Sequence, residues 1–124
     1  VMPLGVKHPL APEVMEHYRE AMPTPRSRMG AAEFPVQLMR SRPWLEALER
    51  DVEDRLANVP LLLTWGMLDP MFGRTYVERF REIFKLAELA RLDAKHYIQE
   101  DAPKEIAGAI ESFLEQGRGA PSRR

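Results

Sequence analysis

The spacing of apolar residues changes along this chain, and each spacing predicts a different element. A short apolar run at 60–65 ends at Gly66, which is typical of a strand buried on both faces. Residues 88–92 alternate in polarity and predict a second, more exposed strand. Between the two runs, at 76–84, apolar residues recur at helical spacing. The order strand, helix, strand favours parallel pairing through one crossover.

Helical patterns lie on both sides of these strands. Residues 44–58 carry apolar side chains on one face and charged side chains on the other, which predicts an amphipathic helix. Another helix is predicted after the second strand, where Asp101 can serve as its N-cap and Pro103 suits its first turn. Gly117 is expected to end this last helix.

The first third of the chain differs in composition from the rest. Residues 1–43 are rich in proline, methionine and arginine, and the prolines divide them into short helical pieces at 12–22 and 26–33. We therefore expect three zones, which are the helical segment 1–43, an α/β unit over 44–117 and a disordered tail over 118–124.

Composition and charge exclude several classes of function. The 124 residues carry a formal net charge of -1, which gives no reason to expect nucleic acid or an anionic membrane as a partner. The absence of cysteine excludes disulfides, thiolate catalysis and cysteine-based zinc sites. The three histidines share no metal-ligand spacing, and no apolar run approaches the ~20 residues of a membrane span. We expect a cytoplasmic chain, and one that is a fragment because it begins without methionine.

Two motifs carry candidate chemistry, and each follows a predicted strand. Trp-Gly-Met-Leu-Asp ends at Asp69, and His-Tyr-Ile-Gln-Glu-Asp begins at His96. Ligands and substrates bind at the carboxyl ends of strands in open α/β sheets, where neighbouring parallel strands bring their last residues together. An acid beside a histidine fixes the imidazole tautomer, and the histidine can then act as a general base. We therefore expect Asp69 and His96 to meet at one edge of the sheet.

These motifs resemble the C-terminal half of an α/β-hydrolase, and within that superfamily they are most similar to haloalkane dehalogenases. Trp-Gly-x-x-Asp-Pro and His-Tyr-Ile-Gln-Glu-Asp-Ala-Pro carry the likeness, and the stretch 17–35 resembles the last part of the helical cap. The resemblance implies the fold class α/β, with a parallel βαβα unit preceded by the remnant of a cap. It also implies a small apolar, halogenated substrate and neither a metal nor an organic cofactor.

The resemblance further implies roles for individual residues. Asp69 matches the triad acid, and His96 matches the base that activates water to hydrolyse a covalent alkyl-enzyme ester. The implied substrate pocket is apolar, which suits a haloalkane and equally suits plain core packing. Its lining residues would be Phe34, Pro35, Leu38, Met71 and Phe72.

The sequence departs from the family pattern in two ways. Lys95 stands where the family usually has glycine before the histidine, so a left-handed backbone there would be strained. The second departure is that no nucleophile elbow is visible. We therefore expect the chain alone to be inactive without a missing N-terminal half. Two alternatives stay open, namely epoxide or ester hydrolysis on the same fold, and a non-catalytic chain that associates with itself or with a complementary half.

Overall fold

Two parallel strands form the sheet, as the apolar pattern predicts. The computed structural model describes residues 2–119. Strand β1, Leu61–Gly66, pairs with strand β2, Ala87–Leu92, and the register joins the first residue of one strand to the first of the other. The matched register brings the carboxyl ends of both strands to the same edge of the sheet.

Seven helices occur among the described residues, and the five longer ones follow the predicted order of elements. The two four-residue helices at 2–5 and 98–101 were not predicted. Helix α5, Arg74–Ile83, connects the two strands and buries Val77, which accounts for the helical spacing between the strands. In chain order the helices are α1 Met2–Gly5, α2 Pro12–Glu20, α3 Met29–Arg40, α4 Arg42–Leu56, α5 Arg74–Ile83, α6 Ile98–Asp101 and α7 Pro103–Gly119.

The helices differ from the predicted ones in two places. Pro35 was expected to end a helical piece, but it lies inside α3, which runs on for five residues beyond it. Proline removes one backbone donor, and the remaining bonds of the twelve-residue helix sustain it. Helix α7 continues to Gly119 instead of ending at Gly117, because no described glycine adopts the left-handed conformation of a helix C-cap. The predicted disordered tail is therefore wrong at 118–119, and 120–124 lie outside the described residues.

The chain divides into two compact units. The sheet unit contains the residues up to Pro9 together with those from Ala57 onward, and the helical unit is Leu10–Leu56. The predicted boundary between residues 43 and 44 differs from this division, because Pro43 lies in the first turn of α4 and does not separate it from α3. Helix α4 contacts α3 within the helical unit, whose three helices bury none of their residues.

A small apolar core lies beyond the end of β2. Leu92, Ala94 and Ala102 are buried together, and the side chains of Ile98 and Ile106 pack against them. This cluster fixes both ends of the loop that connects β2 to α7, so the loop between them has anchored termini. His96 lies on that loop.

Candidate active site

Backbone pairing continues past the end of β1 and places Asp69. The amide of Met67 donates to the Leu92 carbonyl at 2.9 Å, and the amide of Leu68 donates to the Ala94 carbonyl at 3.0 Å. The Asp69 amide then bonds the Gly66 carbonyl at 3.2 Å and closes a turn. The acid is thereby held beside the loop that follows β2, as expected for neighbouring parallel strands.

The Asp69 carboxylate is hydrogen-bonded through both of its oxygens. Oδ1 accepts from the backbone amides of Met71 at 2.7 Å and Phe72 at 3.1 Å, in the manner of an Asx turn. Oδ2 lies 3.0 Å from Nδ1 of His96. The Asp69 side chain is 8% exposed and that of His96 is 24% exposed, so the pair is shielded on the acid side and accessible on the base side.

The environment lowers the pKa of Asp69. Desolvation by burial alone would raise this pKa, but it is outweighed by the hydrogen bond from His96 and by those from the Met71 and Phe72 amides. The attraction of the charged imidazole adds to the lowering. Asp69 is therefore an ionised acceptor at neutral pH, which is the state that an orienting acid requires.

The lowered pKa of Asp69 predicts how stability depends on pH. A carboxyl whose pKa is lower in the folded chain stabilises it above the unfolded value of 3.8, and this contribution disappears as the pH falls through the lower folded value. We expect the free energy of unfolding to fall more steeply below about pH 4 than in Asp69→Asn, which keeps an acceptor oxygen for the turn. Urea denaturation between pH 7 and pH 3 measures both slopes, and parallel curves would contradict this assignment.

Gly66 permits the close approach of β1 to the loop that carries His96. A β-carbon at Gly66 would lie 2.2 Å from the Lys95 carbonyl oxygen and 2.7 Å from that of Ala94. No side chain could occupy this space unless the backbone moved. The apolar pattern predicts only that a strand ends at Gly66, because such a pattern carries no signal for a contact between backbones.

A methyl group at this position is expected to be costly. We predict that Gly66→Ala lowers the free energy of unfolding by about 3 kcal/mol, because two backbone carbonyls must move to accommodate it. The matched control is Gly108→Ala in α7, where a β-carbon would meet nothing within 4 Å. Alanine there should stabilise the helix by about 0.5 to 1 kcal/mol. Equal stabilities of the two variants would show that the close approach does not exist in solution.

Aromatic rings surround the imidazole. The ring of Phe72 lies 5.4 Å from that of His96, and Tyr97 meets the imidazole edge-on at 5.2 Å. The indole of Trp65 donates to the Phe72 carbonyl at 3.0 Å. Trp65 thus fixes the turn that positions Phe72 and the amides that bond Asp69.

A cavity of about 250 Å³ opens beside His96. Among the predicted pocket residues Met71 lines it, whereas Phe72 contacts the imidazole but is not among the lining residues. Sequence reasoning missed the other walls, because no periodic pattern connects the first residues of the chain to a loop beyond residue 90. The missed lining residues are Leu4, Gly5, Pro70 and Tyr97.

The remaining expectations fall into two groups. Phe34, Pro35 and Leu38 lie on α3 of the helical unit, and their place in a substrate pocket stays a prediction. The backbone at Lys95 is not left-handed, because no described residue has a positive φ, so the strain that such a conformation would cause does not arise. Lysine can therefore replace the usual glycine there without a backbone penalty.

Residues 2–119 contain no group of three histidine, aspartate or glutamate side chains that could hold a metal ion. None of the helices in that range has the length and apolar character needed to cross a membrane.

Comparison with known proteins connects this geometry to a family. Haloalkane dehalogenase 2 of Mycobacterium tuberculosis and that of Mycobacterium bovis are each 43% identical to the chain over 112 residues. The match covers 89% of the chain and 39% of either relative. The chain is homologous to haloalkane dehalogenases. A haloalkane dehalogenase of Bradyrhizobium diazoefficiens is 30% identical over 119 residues, which cover 92% of the chain and 38% of that relative. No protein-family model matches the chain.

The homology confirms the resemblance to haloalkane dehalogenases and the α/β class, with which the small parallel sheet agrees. The chain spans about two fifths of the length of these curated relatives. The chain is also similar to a relative with a different name. A cis-3-alkyl-4-alkyloxetan-2-one decarboxylase of Xanthomonas campestris is 28% identical over 119 residues. That match covers 91% of the chain and 39% of the relative.

Proposed function

We propose that this chain contributes the acid and the base of a hydrolase that cleaves carbon–halogen bonds. Asp69 orients His96, and His96 activates the hydrolytic water. The observation that carries the proposal is the 3.0 Å hydrogen bond between Asp69 Oδ2 and His96 Nδ1 beside an apolar cavity. Three of the relatives named haloalkane dehalogenase 2 support the same reaction.

The hydrogen bond determines which nitrogen is the base. An ionised carboxylate only accepts hydrogen bonds, so Nδ1 of His96 carries the proton and Nε2 is left with a free lone pair. In the proposed step Nε2 takes a proton from water while the hydroxide adds to the carbonyl carbon of an alkyl-enzyme ester. The ester C–O bond then breaks, and the departing alkoxide takes the proton back from Nε2 and leaves as the alcohol. The enzyme carboxyl loses its remaining proton to solvent, which regenerates the carboxylate. Asp69 stabilises the imidazolium that forms.

The nucleophile belongs, in this proposal, to a segment outside the 124 residues. We propose that this nucleophile is an aspartate and that the halide leaves earlier, when the aspartate attacks the carbon that bears it. We propose the helical unit as part of the cap, and we retain Phe34, Pro35, Leu38 and Phe72 as proposed contacts of the substrate. The cytoplasmic location stays a prediction.

The proposal predicts activity for a chimera and none for the chain alone. We would replace the matching segment of Mycobacterium tuberculosis haloalkane dehalogenase 2 by this chain and measure bromide release from a 1-bromoalkane. The chimera should complete many turnovers, because its host supplies the nucleophile, and the unaltered host is the control. Turnover by the chain alone would contradict the external nucleophile, and a folded chimera without turnover would contradict the proposed function.

A reaction other than dehalogenation is the second candidate, because two relatives are named decarboxylases. Besides the protein of Xanthomonas campestris, a decarboxylase of the same name from Shewanella oneidensis is 34% identical over 61 residues. The same acid and base could also serve epoxide or ester hydrolysis, since the nucleophile decides the chemistry. The coding sequence upstream of Val1 discriminates these cases: an aspartate on an elbow supports alkyl-ester chemistry, and a serine supports acyl transfer.

An assembly role without catalysis is the third candidate, and the sheet supports it. Within the described residues β1 is hydrogen-bonded to a strand on one side only, so its other edge can pair with a further strand. A second copy or a complementary half could provide that strand. Light scattering of the pure chain tests this candidate, because a stable monomer at high concentration would argue against self-association.

A further inference from the structure

The carboxylate of Asp101 joins two segments that are distant in sequence. The backbone amide of Lys7 donates to Oδ1 at 2.8 Å and to Oδ2 at 3.0 Å, and the amide of Lys95 donates to Oδ2 at 2.9 Å. Asp101 was expected to cap the last helix, but it ends α6 and bonds these two amides instead. Hydrogen bonds to an ionised acceptor are about twice as strong as those between neutral groups.

Both bonded segments belong to the candidate active site. Lys95 directly precedes His96, so the position of the Lys95 amide affects the position of the His96 backbone and of its imidazole. Lys7 lies two residues after Gly5, which lines the cavity. The Gly5 carbonyl accepts a hydrogen bond from the Tyr97 amide at 2.9 Å. A β-carbon at Gly5 would lie 2.5 Å from two ring atoms of Tyr97, so this segment and the loop are in close contact.

Few other groups could replace Asp101 in this role. The loop from Asp93 to Tyr97 has no regular strand or helix, so its backbone lacks the repeated bonds that hold β1 and β2. The side chain of Lys7 forms an ion pair with Asp93, but Asp93 is 77% exposed and the pair is weakened by solvent. The partly buried carboxylate of Asp101 is therefore a stronger connection between the first residues and the loop than this ion pair. It acts beside the backbone bond from the Tyr97 amide to the Gly5 carbonyl.

We propose that Asp101 is a positioning residue for His96 and for the cavity wall. Its carboxylate fixes the backbone at Lys95, so that Nδ1 of His96 meets Asp69, and it holds residues 5–7 against Tyr97. The inference rests on the function proposed for this site. It concerns geometry that can be measured without substrate, so it can hold even if that function fails.

Nuclear magnetic resonance of the 124-residue chain tests the inference with Asp101→Asn. In asparagine one of the two acceptor oxygens becomes an NH₂ donor, which faces the Lys7 amide from either carboxylate position. The bonds that remain to Lys7 and Lys95 lose the charge of their acceptor and become weaker. We expect hydrogen exchange at these two backbone amides to accelerate about tenfold or more. The His96 Nδ1 proton signal, which reports the bond to Asp69, should broaden or vanish.

The matched control is Asp93→Asn, which removes the ion pair with Lys7 and leaves the backbone bonds of Asp101 in place. It should change neither the two exchange rates nor the His96 signal. If Asp101→Asn does not fold, Asp101→Glu keeps the charge but displaces it, and a partial loss of the same signals is expected. An unchanged Nδ1 signal in a folded variant overturns the inference, as does failure of both variants to fold, which would show a purely structural role.

Discussion

Replacing His96 by asparagine in the chimera is expected to stop the reaction after one bromide per enzyme molecule. The first step needs only the nucleophile of the host, so bromide is released once and the alkyl ester accumulates. Hydrolysis of the ester then lacks its base, and we expect steady-state turnover to fall by about 10²- to 10⁴-fold. Rapid-quench bromide measurement gives the single turnover, and intact mass spectrometry detects the added alkyl group.

The control for this variant is His8→Asn, because His8 is exposed and lies outside the cavity lining. It should keep the turnover of the unaltered chimera. If His96→Asn also completed many turnovers, another group would have to be the base and the assigned role would be wrong. A loss of the first bromide would instead indicate that the variant disturbs the pocket as a whole.

Replacing Asp69 by asparagine is expected to have the second large effect. The asparagine can still accept the Met71 and Phe72 amides through its oxygen, and its NH₂ group then faces Nδ1 of His96. Nδ1 of the imidazole should then accept from this NH₂ group, so that the ring proton moves to Nε2. A protonated Nε2 cannot accept a proton from water. We expect kcat of the chimera to fall by about 10³- to 10⁴-fold, with little change in substrate affinity.

The control with the same change of charge is Asp51→Asn on the exposed side of α4, which should not change kcat. Stability must be measured beside activity, because Asp69→Asn also removes a carboxylate whose pKa is lowered by folding. A folded Asp69→Asn chimera with kcat near that of the unaltered one would remove Asp69 from the mechanism.

Much of the site could be predicted from the sequence, because the residues that position it are near each other along the chain. Two apolar runs at the spacing of strands, each followed by a polar group, are sufficient to bring Asp69 and His96 to one edge of a parallel sheet. The order of helices and strands followed from the same patterns. These features depend on residues that are near each other in sequence or on a rule of sheet topology.

The rest depended on contacts that no periodicity encodes. Gly66 matters because two carbonyls pass within reach of its absent β-carbon, and Gly5 matters because a ring does so. Asp101 has the position of a helix cap in sequence, but backbone amides from the first residues and from the loop compete for its carboxylate. Pro35 remained inside a helix because the loss of one donor was tolerated there.

The tautomer of His96 is the property on which the proposed chemistry depends most directly. Ring ¹⁵N shifts of the 124-residue chain at neutral pH measure it, since the two nitrogens differ when one carries the proton. We expect a proton on Nδ1, hydrogen-bonded to Asp69, and an unprotonated Nε2, with this pattern lost in Asp69→Asn. A neutral imidazole protonated on Nε2, or a pattern unchanged by Asp69→Asn, would contradict this prediction.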